Sequence, residues 1–127
     1  MIIIGERINA TRSAIKTALE ARDGEAIANE ARRQADAGAA FLDVNGGSRP
    51  EEELENMKWL CETVQAAVSL PLCIDSANPE VIAAGLGLHR NGPPMVNSVT
   101  MESGKHERVL PLVKEYGAGV VALCMDD

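Results

Sequence analysis

The carboxylates and amides of this chain fall at a recurring place. Glu6 and Asn9, Asp43 and Asn45, Asp75, Asn97, and Asp126 with Asp127 each follow a short apolar run on its C-terminal side. If those runs are parallel strands, the polar ends share one rim, where open α/β sheets and barrels hold their ligands. An ordinary explanation competes, because Asp and Asn suit the turns and helix caps that follow strands in any case. Asp75 and Asn97 are less easily explained that way, since Asn78 already supplies the cap after the third run. Polar ends on five successive runs favour a binding site.

The residue types narrow the ligand. A carboxylate can accept two N–H bonds side by side, as a guanidine-like ring edge would offer them. Amides can satisfy mixed donor and acceptor edges. With almost no Lys or Arg at the strand ends, the pattern suits a neutral heterocycle with amidine-like N–H donors. A phosphate would want a glycine-rich turn opening a helix, and Gly85-Leu86-Gly87 falls late in a helical pattern instead. No Ser-His-Asp or Cys-His arrangement is visible, so no catalytic residue is assigned. His89 and His106 read as ordinary surface histidines. Nothing in the carboxylate spacing requires a metal.

Composition sets the kind of core. The chain has 127 residues, 46% of them apolar, with a single Phe, Trp and Tyr. A core of Ile, Leu, Val, Ala and Met suits parallel strands covered by helices better than an antiparallel sandwich, with its aromatic cross-strand pairs. The formal charge of −7 disfavours nucleic acid, and Arg32-Arg33 is the one adjacent basic pair, on a solvated helix face. Cys61, Cys73 and Cys124 make no CxxC pair and read as three ordinary buried thiols of a reducing cytoplasm. The opening Met1-Ile2-Ile3-Ile4 is too short for a signal peptide or membrane span, so no membrane partner is expected.

Strands and helices alternate. Ile2–Ile4 reads as a first strand stopped by Gly5, and Thr11 as the cap of a helix carrying Ile15, Ala18 and Leu19. Asp23-Gly24 breaks that helix, and a second one with Ile27, Ala28, Ala31 and Ala35 ends at Gly38. Ala39–Val44 is the next strand. Ser48 or Arg49 precedes Pro50 and three glutamates, the opening of a helix with Leu54, Met57, Leu60, Cys61, Val64 and Val68 on one face. Leu70–Ile74 forms a third strand, and Asn78-Pro79-Glu80 opens the helix of Val81, Ile82 and Leu86. Met95–Asn97 is a brief fourth strand. A helix from Lys105 carries Val109, Leu110, Leu112 and Val113, and Pro111 must sit near its start or bend it. Gly117 stops it before a fifth strand, Gly119–Met125. The alternation implies an α/β fold with a parallel sheet, formed by residues 1–127 as one unit.

Four of these segments carry a resemblance. Ile4-Gly5-Glu6-Arg7-Ile8-Asn9, Leu42-Asp43-Val44-Asn45, Cys73-Ile74-Asp75-Ser76 and Val96-Asn97-Ser98 resemble the pterin-binding methyltransferases. In particular they resemble methyltetrahydrofolate:corrinoid methyltransferases and the folate domain of cobalamin-dependent methionine synthase. Dihydropteroate synthase is a more distant likeness on the same fold. The resemblance implies a (β/α)8 TIM-type barrel of which this chain covers about strands one to five. It implies pterin binding by Asp75 and Asn97, with Asp43 and Asn9 lining the same pocket, and methyltetrahydrofolate as substrate. The methyl acceptor would be a Co(I) corrinoid, or cobalamin, carried by a partner protein.

A full barrel takes about 250 residues. The family's later pterin-binding acid, and the asparagine that reaches N5, belong to strands beyond this segment. Two alternatives stay open: a dihydropteroate synthase-like transferase, and a non-catalytic half-barrel that assembles with a partner chain. An open half-barrel is expected to form a homo-oligomer or to take up a second half-barrel chain. Its inner face, with Ile3, Leu42, Ile74 or their neighbours, would lack an opposing wall.

Overall fold

Gly5 does not end the first strand. A computed structural model describes residues 1–127 apart from Ser48, Ser103, Asp126 and Asp127, and in it β1 runs Ile4–Asn9. Ile2 and Ile3 lie ahead of it, exposed by 68% and 45%. The β-branched run misplaced the strand because what fixes β1 is long-range. Arg7 donates its backbone N–H to Gln34 Oε1 at 3.2 Å, beside a register shift between Gly5 and Ile8. A Cβ at Gly5 would displace the Gln34 Oε1 that Arg7 bonds, so the strand passes closely under α2 there.

Local signals set most of the remaining boundaries. Helix α1 is Ser13–Ala21, and Thr11 does not cap it; Thr11 bonds Asn9 instead, and Arg12 occupies the cap position without a side-chain bond. Arg22, at φ 52°, ends α1, and Asp23 caps α2 (Gly24–Asp36) by accepting from Ala26 N–H. Strand β2 is Phe41–Asn45 and α3 is Pro50–Ala67, with Pro50 and three glutamates in its first turn. Arg49 holds the cap position of α3 without a side-chain bond, and Ser48 lies outside the described residues. Strand β3 is Leu72–Asp75, and Asn78 caps α4 (Pro79–Leu88) through Glu80 N–H. Strand β4, Met95–Thr100, is longer than the apolar pair Met95-Val96 suggests. Its polar end continues to pair with β5 after a register shift between Asn97 and Val99. Helix α5, Lys105–Glu115, contains Pro111 in its interior, and β5 is Gly119–Leu123.

All pairings are parallel, and the strands lie in the order β1-β2-β3-β4-β5. A doubly wound sheet reverses its order at a switch point, whereas a (β/α)8 barrel adds each strand beside the last. The observed order is that of a partial barrel. Its helical side is closely packed. Ile8, Leu42, Val44, Leu72, Ile74 and Val96 are fully buried together with Ile27, Met57, Leu60 and Ile82 from the helices.

Leu42 and Ile74 therefore belong to the helical side and not to the inner face expected for them. A Cβ on Gly85 of α4 would stand 2.9 Å from Ile74 Cγ2, and a Cβ on Gly5 3.2 Å from Leu42 Cδ2. Because side chains alternate along a strand, their neighbours Asp43, Cys73 and Asp75 point to the opposite, concave face.

Candidate functional site

The register brings the polar strand ends level. Asn9 lies opposite Asn45, Asp43 opposite Cys73, and Asp75 opposite Asn97. Asn45 Nδ2 donates to Asp75 Oδ2 at 3.1 Å, and Asn97 Nδ2 donates to Asp43 Oδ2 at 3.0 Å. The two bonds knit β2, β3 and β4 together across the concave face.

Asp43 is the most enclosed of these groups, with 3% of its surface exposed. Burial pushes its carboxyl up to about 6; the Asn97 hydrogen bond opposes that rise, and the neighbouring Asp75 charge adds to it. Cys73, fully buried between the two acids, has its thiol pushed up by burial and then by Asp43. It is an inert thiol, not a nucleophile.

An open cleft of about 1030 Å³ lies over this network, lined by Thr11, Asn45, Gly47, Glu53, Asp75 and Asn78 among others. A cavity of about 150 Å³ adjoins it, lined by Asp75, Asn97, Thr100 and Lys105. Asp75 borders both spaces. The rim is less free of cations than the strand ends suggested: Lys16, Arg22 and Arg49 line the cleft, contributed by α1 and the segments beside it and before α3. Glu20, Glu51, Glu52, Glu53 and Glu55 outnumber them there, so the cleft stays acidic.

Along the wall of the cleft a second set of bonds holds the loops. Ser76 Oγ donates to Glu53 Oε1 at 2.5 Å and accepts from Asn78 N–H at 3.0 Å, while Ser76 N–H donates to Asn97 O at 3.1 Å. Asn56 Nδ2 donates to Gly46 O at 2.9 Å, and Asn45 Oδ1 accepts from Gly47 N–H at 2.9 Å. Among the described residues, no group of three or more His, Cys, Asp or Glu could hold a metal ion.

A family model described as pterin binding enzyme matches residues 5–127. The chain belongs to the pterin-binding enzyme family. Methylcorrinoid:tetrahydrofolate methyltransferase of Eubacterium limosum is 46% identical over 112 residues, which are 88% of this chain and 41% of that protein. Methionine synthase of Mycobacterium tuberculosis is 33% identical over 133 residues, which cover all of this chain and 11% of that protein. A solved dihydropteroate synthase of Xanthomonas albilineans, in complex with indole-2-carboxylic acid and 6-chloroguanine, superposes with a TM-score of 0.72. It is 31% identical and covers 98% of this chain and 44% of that one. The chain thus spans less than half the length of each of these relatives, and those relatives are enzymes.

Asp43, Asp75 and Asn97 converge on the concave rim. Asn9 reaches the same rim in register, but its Oδ1 is engaged by Thr11 N–H at 2.9 Å and Thr11 Oγ1 at 2.8 Å, the geometry of a turn. Glu6 is exposed, within the register shift between Gly5 and Ile8 and short of the strand end. Asp126 and Asp127 lie outside the described residues. Sequence reasoning grouped Asn45 with the strand ends and gave it no role of its own; its bond to Asp75 makes it central. Ser76, Glu53 and Asn56 carry no spacing signal that links them: Glu53 of α3 reaches Ser76 past β3, in the next unit, and Asn56 reaches back to Gly46 past β2, in its own.

Proposed function

We propose that this chain supplies strands one to five of a barrel that binds a methylated tetrahydrofolate and serves methyl transfer between that folate and a corrinoid. The observation that carries the reading is the Asn45–Asp75 and Asn97–Asp43 network, set at the strand ends of a segment 46% identical to a methylcorrinoid:tetrahydrofolate methyltransferase. The donor set fits a pterin. Asp75, on the rim of the cleft, accepts from the ring's amino and amide N–H groups, and a charge-assisted pair of that kind is strong and directional. Asn97 presents its side-chain oxygen to the ring while its amino group stays on Asp43. Asp43 lies beneath as a buried acid that holds Asn97 in that orientation, and Asn9 closes the pocket from β1. The 6-chloroguanine in the dihydropteroate synthase complex is a heterocycle with a comparable amino-bearing edge.

The corrinoid, carried on a partner protein, supplies the cobalt centre that accepts or gives up the methyl group. What these residues contribute is binding and orientation of the ring. Transfer from N5 needs that nitrogen to gain positive character as the transition state develops, and a preorganised hydrogen-bonding network favours it. The name of the E. limosum relative puts the methylcorrinoid first, as donor. A network that positions the pterin lowers the same barrier in both directions, so it serves either.

The test has two parts. Calorimetric titration of the 127-residue chain with 5-methyltetrahydrofolate should show saturable binding. Methyl transfer between methyltetrahydrofolate and a free corrinoid, followed by the cobalamin spectrum, should be detectable with a complete barrel containing this segment. Release of diphosphate from a pterin diphosphate in the presence of an aromatic amine would instead favour a dihydropteroate synthase-like transferase. Absence of binding until a second half-barrel chain is supplied would favour a non-catalytic assembly module.

A further inference from the structure

Helix α3 bonds the residue that follows each member of the Asn45–Asp75 pair, through two residues on one of its faces. Glu53 and Asn56 are three apart, the spacing that places side chains side by side on a helix. Glu53 Oε1 accepts from Ser76 Oγ at 2.5 Å, and Ser76 follows directly on Asp75. Asn56 Nδ2 donates to Gly46 O at 2.9 Å, and Gly46 follows directly on Asn45. Both anchored residues are the first past a strand end, where the chain would otherwise be free to pivot. Ser76 is 5% exposed, so its hydroxyl depends on this protein partner and on Asn78 N–H. The approach at Gly46 is close enough that a Cβ there would stand 2.9 Å from Asn56 Cβ and 3.1 Å from Met57 N.

We infer that Glu53 and Asn56 are positioning residues for pterin recognition: as a bracket on α3 they fix the Asn45–Asp75 pair, Glu53 through Ser76 and Asn56 through Gly46. The inference deepens the pterin-binding reading and rests on it. A carboxylate aimed at a planar ring edge loses affinity when it can swing, because the bidentate geometry is what gives the contact its strength. Beyond the Asn45–Asp75 bond itself, α3 gives the loop ends after β2 and β3 a second common reference. The bracket also explains why Glu53, alone of the three first-turn glutamates, is tied to a buried hydroxyl. Glu52 pairs with Arg49 on the surface at 3.4 Å.

The experiment is calorimetric titration of the 127-residue chain with 5-methyltetrahydrofolate as probe, with thermal melting in parallel. Glu53→Ala and Asn56→Ala should each weaken binding roughly fivefold, what one ordinary hydrogen bond is worth. Glu53→Gln keeps an Oε1 acceptor for Ser76 and should restore the unsubstituted affinity. In an Asp75→Ala background the Glu53→Ala loss should vanish, because the residue it positions is gone. A purely structural role would lower the melting temperature equally in both backgrounds and leave that coupling at zero. Should Glu53→Ala fail to fold, Ser76→Ala removes the same bond from its other end and is read in the same way. Unchanged affinity in the alanine variants, or a loss that persists without Asp75, overturns the inference alone. Failure of the unsubstituted chain to bind the probe overturns the pterin-binding reading and the inference with it.

Discussion

Asn97 and Asp43 stand on strands that are not neighbours, β4 and β2, yet Asn97 Nδ2 lies 3.0 Å from Asp43 Oδ2. The bond crosses the concave face over Cys73 of the intervening β3. Such a span is possible because the sheet curves as a barrel does, drawing the inner side chains of alternate strands together. The same curvature buries Asp43 and makes it the titrating group of the site.

That burial gives the first prediction. With its carboxyl raised to about 6, folded Asp43 holds a proton over the interval in which an unfolded Asp has already lost it. Its contribution to stability is full below about pH 3.9 and is lost as pH rises through about 6, by up to about 3 kcal/mol. Asp43→Asn, which keeps the shape and an acceptor for Asn97, should raise stability at pH 7 and flatten the profile between about pH 4 and 6. Urea denaturation at a series of pH values reads both. A variant whose profile matches the unsubstituted chain would show that Asp43 does not titrate as its surroundings require.

Asp75 faces the cleft, so its removal should be felt by ligand more than by fold. Asp75→Ala in a complete barrel containing this segment should cost about 1.5–3 kcal/mol of folate affinity, roughly ten- to a hundredfold. Melting temperature should change little, since the Asn45 amide freed by the change lies beside the cleft and can meet water. Unchanged calorimetric affinity would remove Asp75 from the site, and an unfolded variant would make it a structural residue.

His89 is not the ordinary surface residue its position after α4 suggests. Its Nε2 accepts from Leu72 N–H at 3.1 Å, completing the backbone of β3 where Leu72 is fully buried. Burial holds the imidazole below its usual range, consistent with a neutral acceptor. A base with a depressed folded value gives stability that is complete above about pH 6.5 and is lost as pH falls through the folded value. His89→Ala orphans a buried donor and should cost about 1–3 kcal/mol at pH 7.5, with weaker dependence on acid below it. Equal stability of the two proteins at both pH 7.5 and pH 5.5 would exclude this role.

The thiols should separate cleanly by reactivity. Cys124 is exposed, whereas Cys61 and Cys73 are buried, and burial pushes the Cys61 thiol up to about 12. A disulfide reagent applied to the native chain at pH 8 should modify one thiol promptly and the other two only on unfolding. Mass mapping that finds Cys73 modified in the native state would show that the concave face opens far more than its packing implies.

How much of this was legible in the sequence follows from where each contact lies. Strands β2 and β3 were readable because a strand buried on both faces becomes a continuous apolar run. Strand β5 reads as such a run although it is largely exposed, and the site residues showed where each run turns polar. Asp43, Asp75 and Asn97 were therefore visible as a set before any geometry was known. Strand β1 was displaced because Glu6 and Arg7 are solvent-facing and their pairing depends on Gln34, far along the chain. Thr11 looked like a cap because nothing local reveals that Asn9 has already taken its hydroxyl. The contact of Glu53 with Ser76 joins separate βα units, while those of Asn56 with Gly46 and of His89 with Leu72 close a unit on itself, and no periodicity encodes either kind of meeting.

The last prediction concerns the open ends of the sheet. Strands β1 and β5 each pair on one side, so each presents a row of unused backbone groups at an edge. The exposed apolar residues gather beside those edges: Ile2 and Ile3 ahead of β1, and Val120, Leu123 and Met125 in and after β5. A barrel would remove both edges by closing, and the relatives are long enough to do so, since this chain spans 41% of the E. limosum protein. On its own, the 127-residue chain should therefore associate, with itself or with a chain that supplies the remaining strands. Sedimentation velocity over a wide concentration range should show the mean coefficient rising with concentration. Val120→Lys and Leu123→Lys, which place charge on the β5 edge, should shift the distribution toward monomer without unfolding the helical side of the sheet. A compact monomer at every concentration, melting cooperatively, would mean that the concave face and its edges are stable in water as they stand.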